Sequence, residues 1–308
     1  MTDIKDISND KQGAFLDRWA AGEGVAFQND EAKKAYQYRC GLIKDAVQLK
    51  KTPDRVPVVP LEIFAPVMLY GYSGKEAMYD ANILGKIYLD FTRDYDVDAT
   101  AIAPMVMYGP ALETLDYQLY KWPGHGVKEK LSYQFVEKEY MKAEDYDHFI
   151  SDPTDYWFRI WLSRTCGALA PLAQVPPIYG TMELPMAGPW LCTLGAPPVQ
   201  DAFNALLKAG RQSFEWINTL GQYIGQIMAS GYPLYAGGAT KAPFDVLGDS
   251  FRGTTPLMMD LYRRPEKVIE AMERLVPLMI GTGAGGALAN NNPLVFIPLH
   301  KGADGFMS

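Results

Sequence analysis

Val56-Pro57-Val58-Val59-Pro60-Leu61 and, about 35 residues later, Val97-Asp98-Ala99-Thr100-Ala101-Ile102-Ala103 decide how this chain is read. Both are short, apolar and rich in β-branched residues, the composition of buried strands. Between them Ser73 and Glu76 form a capping-box pattern that opens a helix to about Asp94, with Met78, Ile83, Ile87 and Phe91 on its inner side. A strand, a helix and a second strand joined by a crossover of that length make a parallel βαβ unit. Leu294-Val295-Phe296-Ile297-Pro298-Leu299 reads as a further buried strand, followed directly by His300, Lys301 and Asp304.

Upstream, apolar positions recur every three to four residues from Asp30 to Lys51, so the spacing predicts an amphipathic helix with Asp30 as N-cap and Pro53 as terminator. Downstream, Tyr117 to Tyr140 alternates polar and apolar around Trp122-Pro123-Gly124-His125-Gly126, the pattern of a β-hairpin with a long turn. Helix is expected from about Lys142 to Leu172, interrupted at Pro153, and again from Gln200 to Ser230. A further helix is expected from Pro265 to about Ala289, kinked at Pro277. Val175 to Pro198, rich in Pro and Gly, reads as loop and turn, and Lys241 to Arg252 as a polar loop.

Composition narrows the function classes. The chain has 308 residues, of which 48% are hydrophobic and 21% charged, the balance of a globular protein. A net charge of -7 without a basic block argues against a nucleic-acid partner. No run approaches the roughly 20 apolar residues of a membrane helix. The polar, acidic N-terminus is not a secretory leader, so a cytoplasmic location is expected. Cys40, Cys166 and Cys192 are far apart and read as buried free thiols, and His125, His148 and His300 form no local metal motif.

In α/β barrels, functional groups gather where strands end, because those loops converge on one face. That rule selects Glu62 and Phe64 after the first strand, Met105, Met107 and Tyr108 after the second, and His300, Lys301 and Asp304 after the last. Glu62 suits acid-base work if partly buried, and a capping or salt-bridging role equally well. His300 beside Lys301 suits a general acid next to a cation that holds an anionic substrate, or a loop histidine bonded to backbone. Asp245 or Asp249 is expected to pair with Arg252. The run Gly281-Thr282-Gly283-Ala284-Gly285-Gly286 matches a dinucleotide fingerprint only in letters: it follows a helix, where the fingerprint must open one after a strand, so close helix packing or a frayed helix C-terminus is the better reading. The tryptophans at 157, 161, 190 and 216 are assigned to core packing before a flat ligand.

Several of these segments together resemble the uroporphyrinogen decarboxylase superfamily, which includes tetrapyrrole decarboxylases and corrinoid-linked methyltransferases. The pieces are Asp54-Arg55-Val56-Pro57-Val58, Asp96-Val97-Asp98-Ala99, Gly188-Pro189-Trp190, Arg252-Gly253, Asp260 to Val268, and His300 to Ser308. The resemblance implies an α/β fold of (β/α)8 TIM-barrel type with N-terminal helices and a hairpin insertion, of which this chain supplies about the first four strands. Residues 1–52 would be an N-terminal helical extension and 53–308 the barrel domain, incomplete at its C-terminal end. Family decarboxylases carry arginines after the first strand and an aspartate after the second; here stand Leu61-Glu62-Ile63-Phe64-Ala65-Pro66 and Met105. That difference points toward the methyltransferase side, with Glu62, His300 and Asp304 as catalytic candidates and Phe64, Met105, Tyr108 and Lys301 as substrate-binding ones. The methyltransferase zinc site, a His-x-Cys pair with a distant Cys, has no counterpart, since Gly302 follows His300 two residues later. No metal ligand is therefore assigned here, and zinc and a corrinoid are implied only for a longer form. The expected partner is a small molecule or a corrinoid protein, and a homodimer stays open. A true decarboxylase and a non-catalytic corrinoid- or tetrapyrrole-binding protein are the alternatives.

Overall fold

The computed structural model describes residues 9–61, 63–100, 106 and 108–303. Helix dominates, and among the described residues no strand exceeds four residues, so the chain is α-rich and regular barrel strands are not laid out. It divides into two compact units, each built from three stretches of sequence. No helix among the described residues is long and apolar enough to cross a membrane.

The first unit comprises Met1–Val106, Ile217–Thr240 and Ile280–Ile297. Its helix Asp30–Gln48 is capped by Asn29, whose side chain accepts the Ala32 N–H at 2.8 Å. Asp30, expected as the cap, is instead the first helical residue, where its charge faces the positive helix end. Left-handed Leu49 (φ 55°) ends the helix before Pro53 is reached. Trp19, from Asn9–Ala21, packs with Tyr36, Cys40, Ile43 and Ala99. The helices of the expected N-terminal extension thus share a unit with the extended segments.

The Ser73–Glu76 capping box forms, Glu76 accepting the Ser73 N–H at 2.7 Å. Its helix ends at Tyr79, because Asp80 turns extended and its carboxylate recaps a second helix, Ala81–Asp94, at the N–H groups of Asn82 and Ile83.

Four extended segments adjoin in chain order. Asp98 N–H donates to Val58 O at 2.8 Å. Thr100 bridges Leu234 in parallel, and Gly238–Ala239 pairs in parallel with Val295–Phe296. The first segment is not the buried strand its sequence suggests: Val56 and Val58 are 81% and 54% exposed. Pro57 and Pro60 have no N–H to give a ladder. The Val58 N–H is taken by the Asp98 carboxylate at 2.7 Å, which also holds Arg55 at two atoms. In the second segment Val97 to Thr100 are buried as expected, while 101–103 lie outside the described residues. In the last, pairing is confined to Val295–Phe296, and Ile297 is 49% exposed.

The glycine run read as a packing surface lies in the helix Pro265–Ala289. A Cβ on Gly286 would stand 2.9 Å from the Gly238 Cα, so helix and extended segment meet backbone to backbone there.

The second unit comprises Met107–Trp216, Lys241–Met279 and Pro298–Ser308. Its hairpin pairs Tyr120 with Phe135 and Lys121 with Gln134, antiparallel. The core joins Phe149, Tyr156, Phe251, Leu257 and Leu275. Several stretches depart from the sequence reading, among them an α-helix at Gly188–Leu194 inside the segment read as loop and turn, and a 3-10 helix at Gly167–Gln174 at the end of the expected helix. Tyr156–Trp161 widens into a π-type turn inside the expected helix. Lys241 to Arg252 is no loop: Pro243–Asp245 is helical and Val246–Phe251 continues as a second π-type turn. Val246, Leu247 and Phe251 are buried on it, and burial of those side chains outweighs the turn's polar composition. The long helix Pro197–Ala229 starts three residues earlier than expected, on a proline suited to a first turn.

Candidate functional site

In the second unit, the turn from Pro243 to Phe251 carries Asp245 and Asp249 four residues apart, so both carboxylates emerge on one side. Asp245 is fully buried and accepts three successive backbone N–H groups, from His300 at 3.0 Å, Lys301 at 2.6 Å and Gly302 at 3.0 Å. One carboxylate therefore fixes the whole 300–302 turn, in a charge-assisted arrangement stronger than neutral pairing.

Asp249 holds the side chains of the same turn. It accepts from Lys301 Nζ at 2.5 Å, Lys241 Nζ at 2.6 Å and His300 Nδ1 at 2.8 Å. Burial works to raise its pKa, but the hydrogen bonds from Lys241, Lys301 and His300 outweigh it and hold the carboxyl at about 2. Gly248 makes the approach possible, since a Cβ there would lie 2.5 Å from Lys301 Cδ. The hairpin contributes Tyr120, whose hydroxyl is pushed up by burial, by Tyr133 and by the Asp249 charge. Glu137, bonded to Thr254, is held low by that bond and by Lys301.

The His300 side chain is 58% exposed while Lys301 is 12% exposed. With Nδ1 directed to Asp249, the neutral imidazole carries its proton there and leaves Nε2 as the free base. The arrangement can move a proton at Nε2, beside two ammonium groups that are both bonded to the Asp249 carboxylate.

Of the residues expected in a site, His300 and Lys301 are brought together. Glu62, Met105 and Asp304 lie outside the described residues. Phe64 is buried in the first unit, just before the short helix Ala65–Leu69, and offers no surface to a substrate. Tyr108 stacks on Trp216 with ring centroids 4.5 Å apart, and burial followed by Glu215 pushes its hydroxyl up. The expected pairing of Asp245 or Asp249 with Arg252 does not form: buried Arg252 bonds Asp260 at 2.6 Å and also Glu139, because Tyr146 and Met141 hold that end of the core. Sequence reasoning missed Lys241, Glu137 and Tyr120, and misassigned both aspartates. The Asp-x-x-x-Asp spacing was the available signal.

Among the described residues no three His, Cys, Asp or Glu side chains converge so as to hold a metal ion. Cys40 and Cys166 are buried and burial pushes both thiols up, whereas Cys192, expected to be buried, is exposed. No family model, curated protein or solved structure matches the chain.

Proposed function

We propose that the chain is an enzyme of the uroporphyrinogen decarboxylase type on its methyltransferase side, working in corrinoid-linked methyl transfer, with Asp249–His300 as its proton-transfer pair. The observation that carries the reading is His300, exposed at its ring, anchored at Nδ1 to Asp249 and fixed through its backbone by Asp245. Four extended segments adjoining in chain order, joined through helices, support treating them as the first strands of a (β/α)8 barrel. His300 then follows the fourth strand, where such folds keep their chemistry.

In this reading His300 Nε2 takes the proton of an acceptor thiol. A methylated corrinoid, when bound, would supply the electrophilic methyl group for that thiolate, and His300 would hold the proton released from sulfur. Lys241 and Lys301 draw in the anionic end of the substrate. The partner is a small molecule or a corrinoid protein, met in the cytoplasm.

Thiol-dependent demethylation of methylcobalamin, followed by its visible spectrum, tests the proposal. His300→Ala is expected to lower the rate about 10²-fold or more, the usual worth of a positioned general base, with the circular dichroism spectrum unchanged because the ring is exposed. A wild-type protein without activity, or a variant as fast as wild type, sinks it. The two lysines beside His300 also favour a carboxylate-rich substrate, so uroporphyrinogen decarboxylation is the second reading. It requires carbon dioxide release that falls in Lys241→Ala.

A further inference from the structure

In the second unit, residues 175–199 carry a single charged side chain, Glu183, and no lysine or arginine occurs between Arg164 and Lys208. The segment is folded on its inner side. Trp190 Nε1–H donates to Pro176 O at 2.9 Å and closes it into a loop. Val175 and Val199 are buried with Leu169 and Leu172, and Trp190 and Leu194 pack against them. Short helices at Ile178–Thr181 and Gly188–Leu194, with Pro177, Pro185 and Pro189, stiffen the rest. The outer side faces solvent: Ile178, Tyr179, Met182, Leu184, Met186 and Leu191 are 49% to 84% exposed. Together these six present the area of about four whole residues, roughly 700 Å² at the 150–250 Å² of a large side chain. The largest apolar patch on a monomer is usually about 300–600 Å², and a stable interface takes about 800 Å² from each partner. Exposed Gly180, Pro185, Gly188 and Pro189, interspersed among the six, add the remainder.

The charge pattern selects the occupant. Bilayer surfaces and anionic partners are held by lysine and arginine around an apolar face, which this stretch lacks. A cationic partner would meet one carboxylate. Two copies of a chain with net charge -7 repel over most of their surface, and a two-fold contact sets residues near its axis against their own copies. A patch almost free of charge is the composition that can face itself. We propose that this face binds a second copy of the chain in a two-fold contact centred on residues 178–191. At its edge Phe158, Val175, Pro176 and Trp190 line an apolar hollow of about 250 Å³, a recess of the kind that receives an interface anchor. The unbranched side chains of Met182 and Met186 adapt readily to such a surface. The contact shares no residue with the His300 cluster and is read from association, not activity, so it stands apart from the function proposed above.

Sedimentation velocity of the full chain across the micromolar range tests the proposal, and a species of twice the mass of one chain is expected. Met182→Asp combined with Leu184→Asp places like charges across the contact and is expected to weaken association roughly 100-fold. Both positions are exposed, so the circular dichroism spectrum should not change. Tyr262→Asp, at an exposed aromatic outside the patch, is expected to leave association as it is. A chain that stays monomeric throughout overturns the proposal. So does a dimer that the double variant fails to loosen, or that Tyr262→Asp loosens equally. Monomeric protein that floats with phosphatidylcholine vesicles, and ceases to in the double variant, overturns it in favour of a bilayer.

Discussion

Asp249 stands between two lysines and a histidine, and its charge state sets the cohesion of the whole cluster. Its carboxyl titrates at about 2 in the folded protein, against about 3.9 in an unfolded chain. A lowered pKa contributes stability that is fully present above the unfolded value and lost as pH falls through the folded one. Asp249→Asn is therefore expected to cost roughly 2 kcal/mol at neutral pH. The gap to wild type should shrink between about pH 4 and pH 2. Urea unfolding across that range measures it, and a gap independent of pH would contradict the assignment of the charge. His300 and Lys301 could be chosen from sequence because a residue following a strand is a general rule. Their anchors could not be chosen so easily, because Asp245 and Asp249 lie more than fifty positions away and Arg252 offered a nearer partner. Local reading favours local pairing; burial of Arg252 against Asp260 overrides it.

At the scale of elements, what was legible followed periodicity and caps. The helix Pro265–Ala289 keeps the ends its proline and apolar spacing indicate, and the Ser73 capping box forms. What was not legible depended on distant packing. The π-type turn at Val246–Phe251 exists because its apolar side chains face the aromatic core around Phe149 and Tyr156, and no composition rule announces it. The glycine run separates the two kinds of information within one helix. A Cβ on Gly286 meets the Gly238 backbone, while Gly281 and Gly285 face open space. Gly286→Ala is accordingly expected to lose about 1–3 kcal/mol through overpacking. Gly281→Ala and Gly285→Ala are expected to gain about 0.5–1 kcal/mol by removing a helix-weakening glycine. Thermal unfolding of the three variants decides between this packing role and a nucleotide-binding loop, since a loop of that kind would tolerate none of the three in binding and show no such order in stability.

For the whole molecule, the consequential feature is that neither compact unit is contiguous in sequence. Residues 1–106 supply the first two extended segments, but the neighbours of Thr100 come from Pro233 and Leu234, and those of Gly238 from Leu294 to Phe296. The core around Trp19, Tyr36 and Cys40 is closed by Met228, Tyr235 and Leu294 from the same later stretches. A chain cut at residue 106 would therefore expose Ala99 and Cys40, both fully buried in the intact unit, and leave the backbone of Thr100 without its partners. Hydrophobic burial is the main favourable term in folding, and a unit deprived of one side of its core has little left to offset chain entropy. The fragment 1–106 is expected to show no cooperative urea transition and a poorly dispersed amide spectrum, while the intact chain unfolds cooperatively. A well-dispersed, cooperatively unfolding fragment would mean that the two later stretches decorate the unit rather than complete it. The parallel contacts at 234 and 295 would then be too weak to serve as the third and fourth strands of a barrel.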